Sequence, residues 1–375
     1  MRRTRFSNGT IVGGHDGLVI EAGVIAHDPS APVDRVVDLE GGFLLPGFID
    51  TQVNGGGGVL FNDSPTVESI ARIGEAHRPY GTTAFLPTLI SDDLATVDAA
   101  MRAVEQAIAQ GVPGVVGIHI EGPFLNAARK GTHDETKFLR LDDRAIALLS
   151  GLKIGRTLVT LAPEQCAPGD IEQLVAAGVV VAAGHTDASY ATMKAAFAAG
   201  VTGVTHLFNA MSPLNHREPG VVGATLENQS AYAGVIVDGR HVDPVALRIA
   251  MAARPKDRFM LVTDAMPTVG SAAKSFVLQG KTIHVENGVC VEENGTLAGS
   301  DLDMATAVRN AVHMVGLSIA QAATMAATAP AAFMGLKDRG SLAPGLRADL
   351  VWLDAELRPR GVWVVGERQG TVVAG

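Results

Sequence analysis

Apolar residues fall along the chain in short β-rich runs that recur at similar intervals, separated by stretches with helical spacing. Eight runs read as strands: "FLLPGFIDTQVNG" (43–55), "TTAFLPTLI" (82–90), "VVGIHIEGP" (115–123), "TLVTLAPE" (157–164), "VVVAAGHT" (179–186), "GVTHLFNA" (203–210), "YAGVIVDG" (232–239) and "FMLVTDAM" (259–266). Between them lie amphipathic segments. The segment at 92–111 has an acidic start and ends at Gly111, and the one at 187–200 is opened by Asp187 and closed by Gly200, which is ordinary helix punctuation. Strands alternating with helices imply a parallel sheet, and eight such units predict an α/β fold, a (β/α)8 TIM-like barrel, with a doubly wound open sheet as the alternative.

The two ends have a different texture. Residues 1–45 read as short strands with turns at "SNG", "GGHDG" and "EGG", and "GSLAPGLRADLVWLD" and "GVWVVGERQGTVVAG" are similar in character. The expected organisation is a small β-sandwich domain built from 1–45 plus 340–375, and a barrel over 46–339.

Composition narrows the function classes. At 375 residues the chain can hold a barrel and a minor domain, and 43 glycines with only 5% aromatic residues suit tight strand-to-helix turns. The formal charge of −9 is spread along the length, so no basic surface for nucleic acid or anionic lipid is advertised. No run approaches the ~20 apolar residues of a membrane span, and the basic start lacks an apolar segment with a cleavage pattern. Cys166 and Cys290 lack paired spacing, which argues against disulfides and thiolate metal sites and favours a reducing cytoplasm.

Barrel enzymes carry their chemistry where strands finish, so polar residues there are the test. Asp50, Gln52 and Asn54 follow the first strand, Glu121 the third, His185 the fifth, His206 the sixth, Asp238 and His241 the seventh and Asp264 the eighth. Each alone has a bland reading as a satisfied core or capping group. Together, Glu121, His185 and His206 form a three-ligand site with a position open for water. One carboxylate and two neutral imidazoles leave a divalent cation net positive, able to acidify water and polarise a carbonyl. Zinc suits these donors best, while iron, cobalt or manganese accept the same set. Asp264 is the candidate for taking a proton from the attacking water and returning it to a departing amine. His133, on a loop after the third strand, is either a solvated histidine or a donor to a developing oxyanion. His119 shares a strand face with Glu121 and reads as a core or supporting group. Asn209, Arg217 and His241 could hold an anionic group, Arg because its fork matches phosphate oxygens. The run "NGGGG" (54–58) lacks the Lys-Ser/Thr ending of a nucleotide loop.

These residues sit in stretches that resemble the N-acetylglucosamine-6-phosphate deacetylases of the amidohydrolase superfamily. The resemblance runs from "LLPGFIDTQVNGGGGVLFND" through "GTTAFLPTLIS", "GIHIEGPFLNAARKGTHD", "AAGHTDAS", "THLFNAMSPLNHREPG", "VIVDGRHVDP" and "LVTDAMP" to "GSLAPGLRADLVWLD". It implies Glu121, His185 and His206 as ligands of one divalent ion per subunit, Asp264 as acid/base and His133 as the group assisting the acetyl carbonyl. It further implies that Asn209, Ala210, Arg217 and His241 contact an amino-sugar phosphate, part of that grip coming across a homodimer interface, and that Leu302 lines the acetyl end. The superfamily's His-x-His is here Gln52-Val53-Asn54, and Glu164 stands where a lysine ends strand four. This resembles the single-metal branch, with Gln52 near bound water. The resulting expectation is metal-dependent deacetylation of N-acetyl-D-glucosamine 6-phosphate. The alternatives are a related N-acyl sugar phosphate such as the galactosamine epimer, or a non-catalytic sugar-phosphate binding protein.

Overall fold

The computed structural model describes residues 3–13 and 17–370. Part of the turn at "GGHDG" and the last five residues therefore lie outside the described residues.

Eight strands form one parallel sheet in chain order. They are β1 (Phe48–Val53), β2 (Thr82–Ile90), β3 (Gly117–Glu121), β4 (Arg156–Leu161), β5 (Val180–Ala183), β6 (Gly203–Val204), β7 (Tyr232–Val235) and β8 (Phe259–Leu261). The sheet curls until β8 meets β1, giving the expected (β/α)8 barrel. That last junction is a short seam. It rests on a parallel bridge between Val53 and Ala265, with Asp264 N–H donating to the Gln52 carbonyl at 3.0 Å and Asn54 N–H to the Ala265 carbonyl at 2.9 Å. No helix among the described residues is long and apolar enough to cross a membrane.

Three local expectations need correction. The first predicted strand is two strands: Phe43–Pro46 leaves the barrel to pair with Leu350–Leu353, and the chain turns into β1 at Gly47, where a Cβ would lie 2.1 Å from Thr83 Oγ1. The predicted run 203–210 is strand only over Gly203–Val204, because His206, Phe208 and Ala210 adopt positive φ and the backbone leaves the sheet. The helix expected at 187–200 spans Tyr190–Ala198 and is capped by Ser189, whose Oγ accepts from Thr192 N–H at 3.1 Å. Asp187 is drawn elsewhere, its carboxylate 2.8 Å from Arg129 Nε and its N–H donated to Glu164 at 2.7 Å. Leu94–Ala109 does follow the predicted segment at 92–111, with Asp93 as cap.

Both chain ends supply a four-stranded and a five-stranded sheet. Between these sheets Phe6, Ile20, Leu44, Leu350 and Trp363 form an apolar cluster separate from the barrel core. A further four-stranded antiparallel sheet over residues 275–300 interrupts the barrel after β8. It had a readable signal. Gln279-Gly280 and Asn287-Gly288 are two-residue turns with φ positive at both positions, which Asn-Gly in particular favours.

The glycine run after β1 has a packing role. Gly55 and Gly56 pair with Val59–Leu60, and a Cβ on Gly56 would sit 2.9 Å from the ring of His77, at the end of the helix Val67–His77. The fully buried His77 holds the Gly55 carbonyl through Nε2 at 2.8 Å. Burial pushes its pKa down to about 4. In the unfolded chain the ring titrates near 6.5, so above that pH it contributes no pH dependence. As pH falls from 6.5 towards 4 the unfolded state gains a proton that the native state refuses, and stability is lost. Asp50, raised by burial to about 7, runs the opposite way over part of this range, so the contribution of His77 must be isolated by difference. Denaturant titrations of wild type and His77→Gln should show the wild-type advantage shrinking by roughly 3 kcal/mol between pH 7 and pH 4. A constant difference would mean that His77 takes up its proton over the same pH range in the folded protein as in the unfolded chain.

Candidate metal centre and surrounding cavity

The carboxyl ends of the barrel strands surround a cavity of about 330 Å3. Glu121 is the last residue of β3, while His185 and His206 follow β5 and β6; all three are buried. His185 and His206 have φ of +48° and +30°. Such left-handed backbone costs a non-glycine residue of order 1–3 kcal/mol and persists only where its surroundings impose it. Here it swings each imidazole off its strand towards the barrel axis.

Glu121 Oε1 lies 3.2 Å from His185 Nε2 and 3.1 Å from His206 Nε2, and the two nitrogens are 3.1 Å apart. An ion bound at ~2.0–2.1 Å by tetrahedral N/O donors separates those donors by about 3.3 Å, so this nearly equilateral triangle is the right size. The donor chemistry fits as well. His185 Nδ1 lies 3.0 Å from the Arg129 carbonyl, which can only accept, so the ring proton sits there and Nε2 presents its lone pair. Burial works to raise the Glu121 pKa, but hydrogen bonds and charge from the two imidazoles hold it well below the usual carboxylate range. A divalent cation can replace the protons that otherwise keep three such groups together.

Asp264 follows β8 with φ of +53°, one step from the seam. Its Oδ1 accepts from Gln52 Nε2 at 3.1 Å and from Asn54 Nδ2 at 2.7 Å, and Gln52 Nε2 also lies 3.2 Å from Glu121 Oε1. Burial and the nearby Glu121 charge push the Asp264 carboxyl up to about 6, against the pull of His206, His241 and Asn54. A carboxylate of that basicity can take and return a proton near neutral pH.

His133 is buried and packs against His185, the rings tilted by 55° with centroids 4.4 Å apart. Ser91 N–H donates to its Nδ1 at 3.3 Å and Ser91 Oγ lies 2.8 Å from the same nitrogen, an arrangement that suits a ring protonated on Nε2 with the hydroxyl donating to Nδ1. Burial first, and the charge of His185 second, push its pKa down to about 3. It is therefore a neutral hydrogen-bond donor. His119 is a core group that lies 2.7 Å from Thr160 Oγ1 inside the barrel, and burial lowers it to about 4.

Asn209, Ala210 and His241 line the cavity. His241 Nδ1 donates to Asp238 Oδ2 at 2.5 Å. Burial works to raise Asp238, but the hydrogen bond and charge of His241 hold it below the usual range. Three residues implied by the resemblance are not brought to the cavity lining, one of them Gln52, which lies buried between Glu121 and Asp264. Arg217 is exposed on the loop after β6, and the buried Leu302 packs in the barrel core. The apolar lining comes instead from Ile236, Met266 and Leu297. Leu297, Thr296 and Gly299 belong to the sheet at 275–300, whose buried Glu292 accepts from Thr132 Oγ1 at 3.0 Å, next to His133. Sequence reasoning assigned nothing to that wall, and to Asn54 only its place at a strand end where the superfamily carries a histidine. The Asn287-Gly288 and Asn294-Gly295 turns were the available signal for the wall.

A model of the Amidohydrolase family matches residues 43–375. The N-acetylgalactosamine-6-phosphate deacetylase of Shewanella sp. (strain ANA-3) is 44% identical over 88% of this chain and 84% of its own. The N-acetylglucosamine-6-phosphate deacetylase of Haemophilus influenzae is 35% identical over 94% of this chain and 93% of its own. The crystal structure of N-acetylglucosamine-6-phosphate deacetylase from Pasteurella multocida superposes with a TM-score of 0.94 at 33% identity, covering 98% of this chain and 100% of that one.

The geometry separates metal holding from proton handling. Replacing Glu121, His185 or His206 by Ala should weaken divalent-metal binding by more than the roughly 10–100-fold that loss of an outer hydrogen-bond partner costs. Asp264→Asn should bind metal as wild type does. Equilibrium dialysis with elemental analysis checks both, and metal loss in Asp264→Asn would make Asp264 a ligand instead.

Proposed function

Because the chain belongs to the amidohydrolase family, we propose that it hydrolyses the acetamide of N-acetyl-D-glucosamine 6-phosphate, releasing D-glucosamine 6-phosphate and acetate. The observation that carries this reading is the Glu121–His185–His206 triangle, with Asp264 and the neutral His133 facing the same cavity. Those three side chains would hold one divalent ion, taken as zinc, which when bound would supply Lewis-acid polarisation of the carbonyl and acidification of water. Asp264 accepts a proton from the attacking water as its oxygen bonds to the acetyl carbon. His133 donates through Nε2–H to the carbonyl oxygen as negative charge develops there. Asp264 then returns the proton to the amide nitrogen. The C–N bond breaks, and the amine leaves as a neutral group rather than an anion. Gln52 steadies Glu121 and Asp264 from below the reacting centre.

We assign the sugar and its phosphate to Asn209, Ala210 and His241 of one subunit and Arg217 of the other in a homodimer. Arg217 is exposed and makes no ion pair among the described residues, and exposed Leu214 lies on the same loop. Leu302 supports the acetyl end from behind the lining. The free Cys166 and Cys290 suit a reducing cytoplasm. The epimeric N-acetylgalactosamine 6-phosphate is the second reading, favoured by the 44% identity to the Shewanella deacetylase named for it.

Acetate release from metal-loaded enzyme decides the substrate. N-acetylglucosamine 6-phosphate should be cleaved with kcat/KM roughly 100-fold or more above the unphosphorylated sugar, since charge-assisted contacts to phosphate are lost with it. Faster turnover of the galactosamine epimer would favour the second reading, and tight binding of the sugar phosphate without acetate release would make the protein a binder.

The assignment of Arg217 has its own test. Arg217→Ala should raise KM by about 10–100-fold with kcat little changed. Mixing that variant with Asp264→Asn subunits should restore low-KM turnover, since each mixed dimer then contains one intact composite site. Without recovery, Arg217 does not act across an interface.

A further inference from the structure

Asn54 is buried at the end of β1, yet only its donor end has a partner. Nδ2 gives the shortest contact that Asp264 receives, 2.7 Å to Oδ1, whereas its carbonyl oxygen is buried with no hydrogen-bond partner. A buried amide that leaves its acceptor unsatisfied is held for what its N–H does. Gln52 Nε2 reaches the same Oδ1 at 3.1 Å. Among the described residues no hydrogen bond reaches Oδ2. The backbone is fixed at both sides: Asp264 N–H donates to the Gln52 carbonyl at 3.0 Å, and Ser300 N–H donates to the Asp264 carbonyl at 2.9 Å.

We propose that Asn54 is a positioning residue that saturates Oδ1 of Asp264 and so makes Oδ2 the oxygen that accepts and returns the proton. This deepens the deacetylase reading and rests on it for the identity of the reaction. A carboxylate free to rotate would offer either oxygen to the attacking water, and only one can point at the acetyl carbon's approach path. Two amide donors on Oδ1 remove that choice, and they stabilise the ionised form needed in a base. The charged and titratable groups facing Asp264 are Glu121 and the buried Asp50, whose negative charge disfavours ionisation, the thiol Cys290, and His206 and His241, which favour ionisation. Asn54 is the uncharged partner that adds direction to this balance.

The test compares Asn54→Ala and the near-isosteric Asn54→Asp with wild type, all metal-loaded. Two measurements are made: the kcat–pH profile for acetate release, and a 13C NMR titration of the Asp264 carboxyl, assigned with Asp264→Asn. For Asn54→Ala we expect unchanged metal content and KM, and a kcat loss between about 10- and 100-fold, below the 10²–10⁴ of complete base removal. The acid limb and the carboxyl titration should both move up by on the order of one pH unit. Asn54→Asp, which places a second carboxylate at 2.7 Å from the first, should move them further in the same direction. Unchanged profiles and titration in both variants would overturn the proposal, as would a kcat loss with an unshifted carboxyl. Should Asn54→Ala fail to fold, Asn54→Asp carries the test alone. If wild type releases no acetate while the carboxyl titration still shifts, the deacetylase reading fails and the Asn54–Asp264 coupling stands.

Discussion

A single carboxylate oxygen organises this molecule. Glu121 Oε1 is approached by two imidazole nitrogens and one amide within 3.2 Å, where water scarcely reaches. Groups that close and that dry repel or desolvate one another unless something positive sits among them, a proton or a cation. Much of the surrounding architecture is a response to that constraint. Two histidines are held in left-handed backbone, and one is locked in its tautomer by a main-chain carbonyl. Glu164 ties the loops together from outside, its carboxylate accepting from Asn126 at 2.8 Å and from Asp187 N–H at 2.7 Å, beside His185.

The second carboxylate is handled differently. Asp264 sits where the sheet closes on itself, and the hydrogen bonds of that closure are the ones that hold it. Barrel integrity and base placement therefore share the same few atoms. Amide donors from Gln52 and Asn54 occupy the side of Asp264 that faces β1, so their N–H groups are aimed at the carboxylate in the way a cation's charge would be.

The barrel and its ligands were legible because both depend on local pattern. Short apolar runs ending in a polar residue mark strands whose ends meet, and Glu121, His185 and His206 each end such a run. What escaped prediction depends on information that pattern does not carry. The break at Gly47 is decided by Thr83, thirty-six positions away, and the loss of Asp187 as a helix cap by Arg129 and Glu164. The resemblance named Arg217 and Leu302 as substrate contacts, but a single chain does not bring either to its own cavity. The sheet at 275–300 was the avoidable omission, since its Asn-Gly turns were in plain view.

That sheet divides labour between scaffold and enclosure. The groups that do chemistry are rooted in barrel strands, whereas Thr296, Leu297 and Gly299 come from hairpins whose turns project into solvent. Hairpins tolerate exchange of length and sequence at their tips far better than barrel strands do. A lineage could therefore remodel which acyl or sugar group is admitted by editing an appendage, while the ion cradle and its proton acceptor stay as they are.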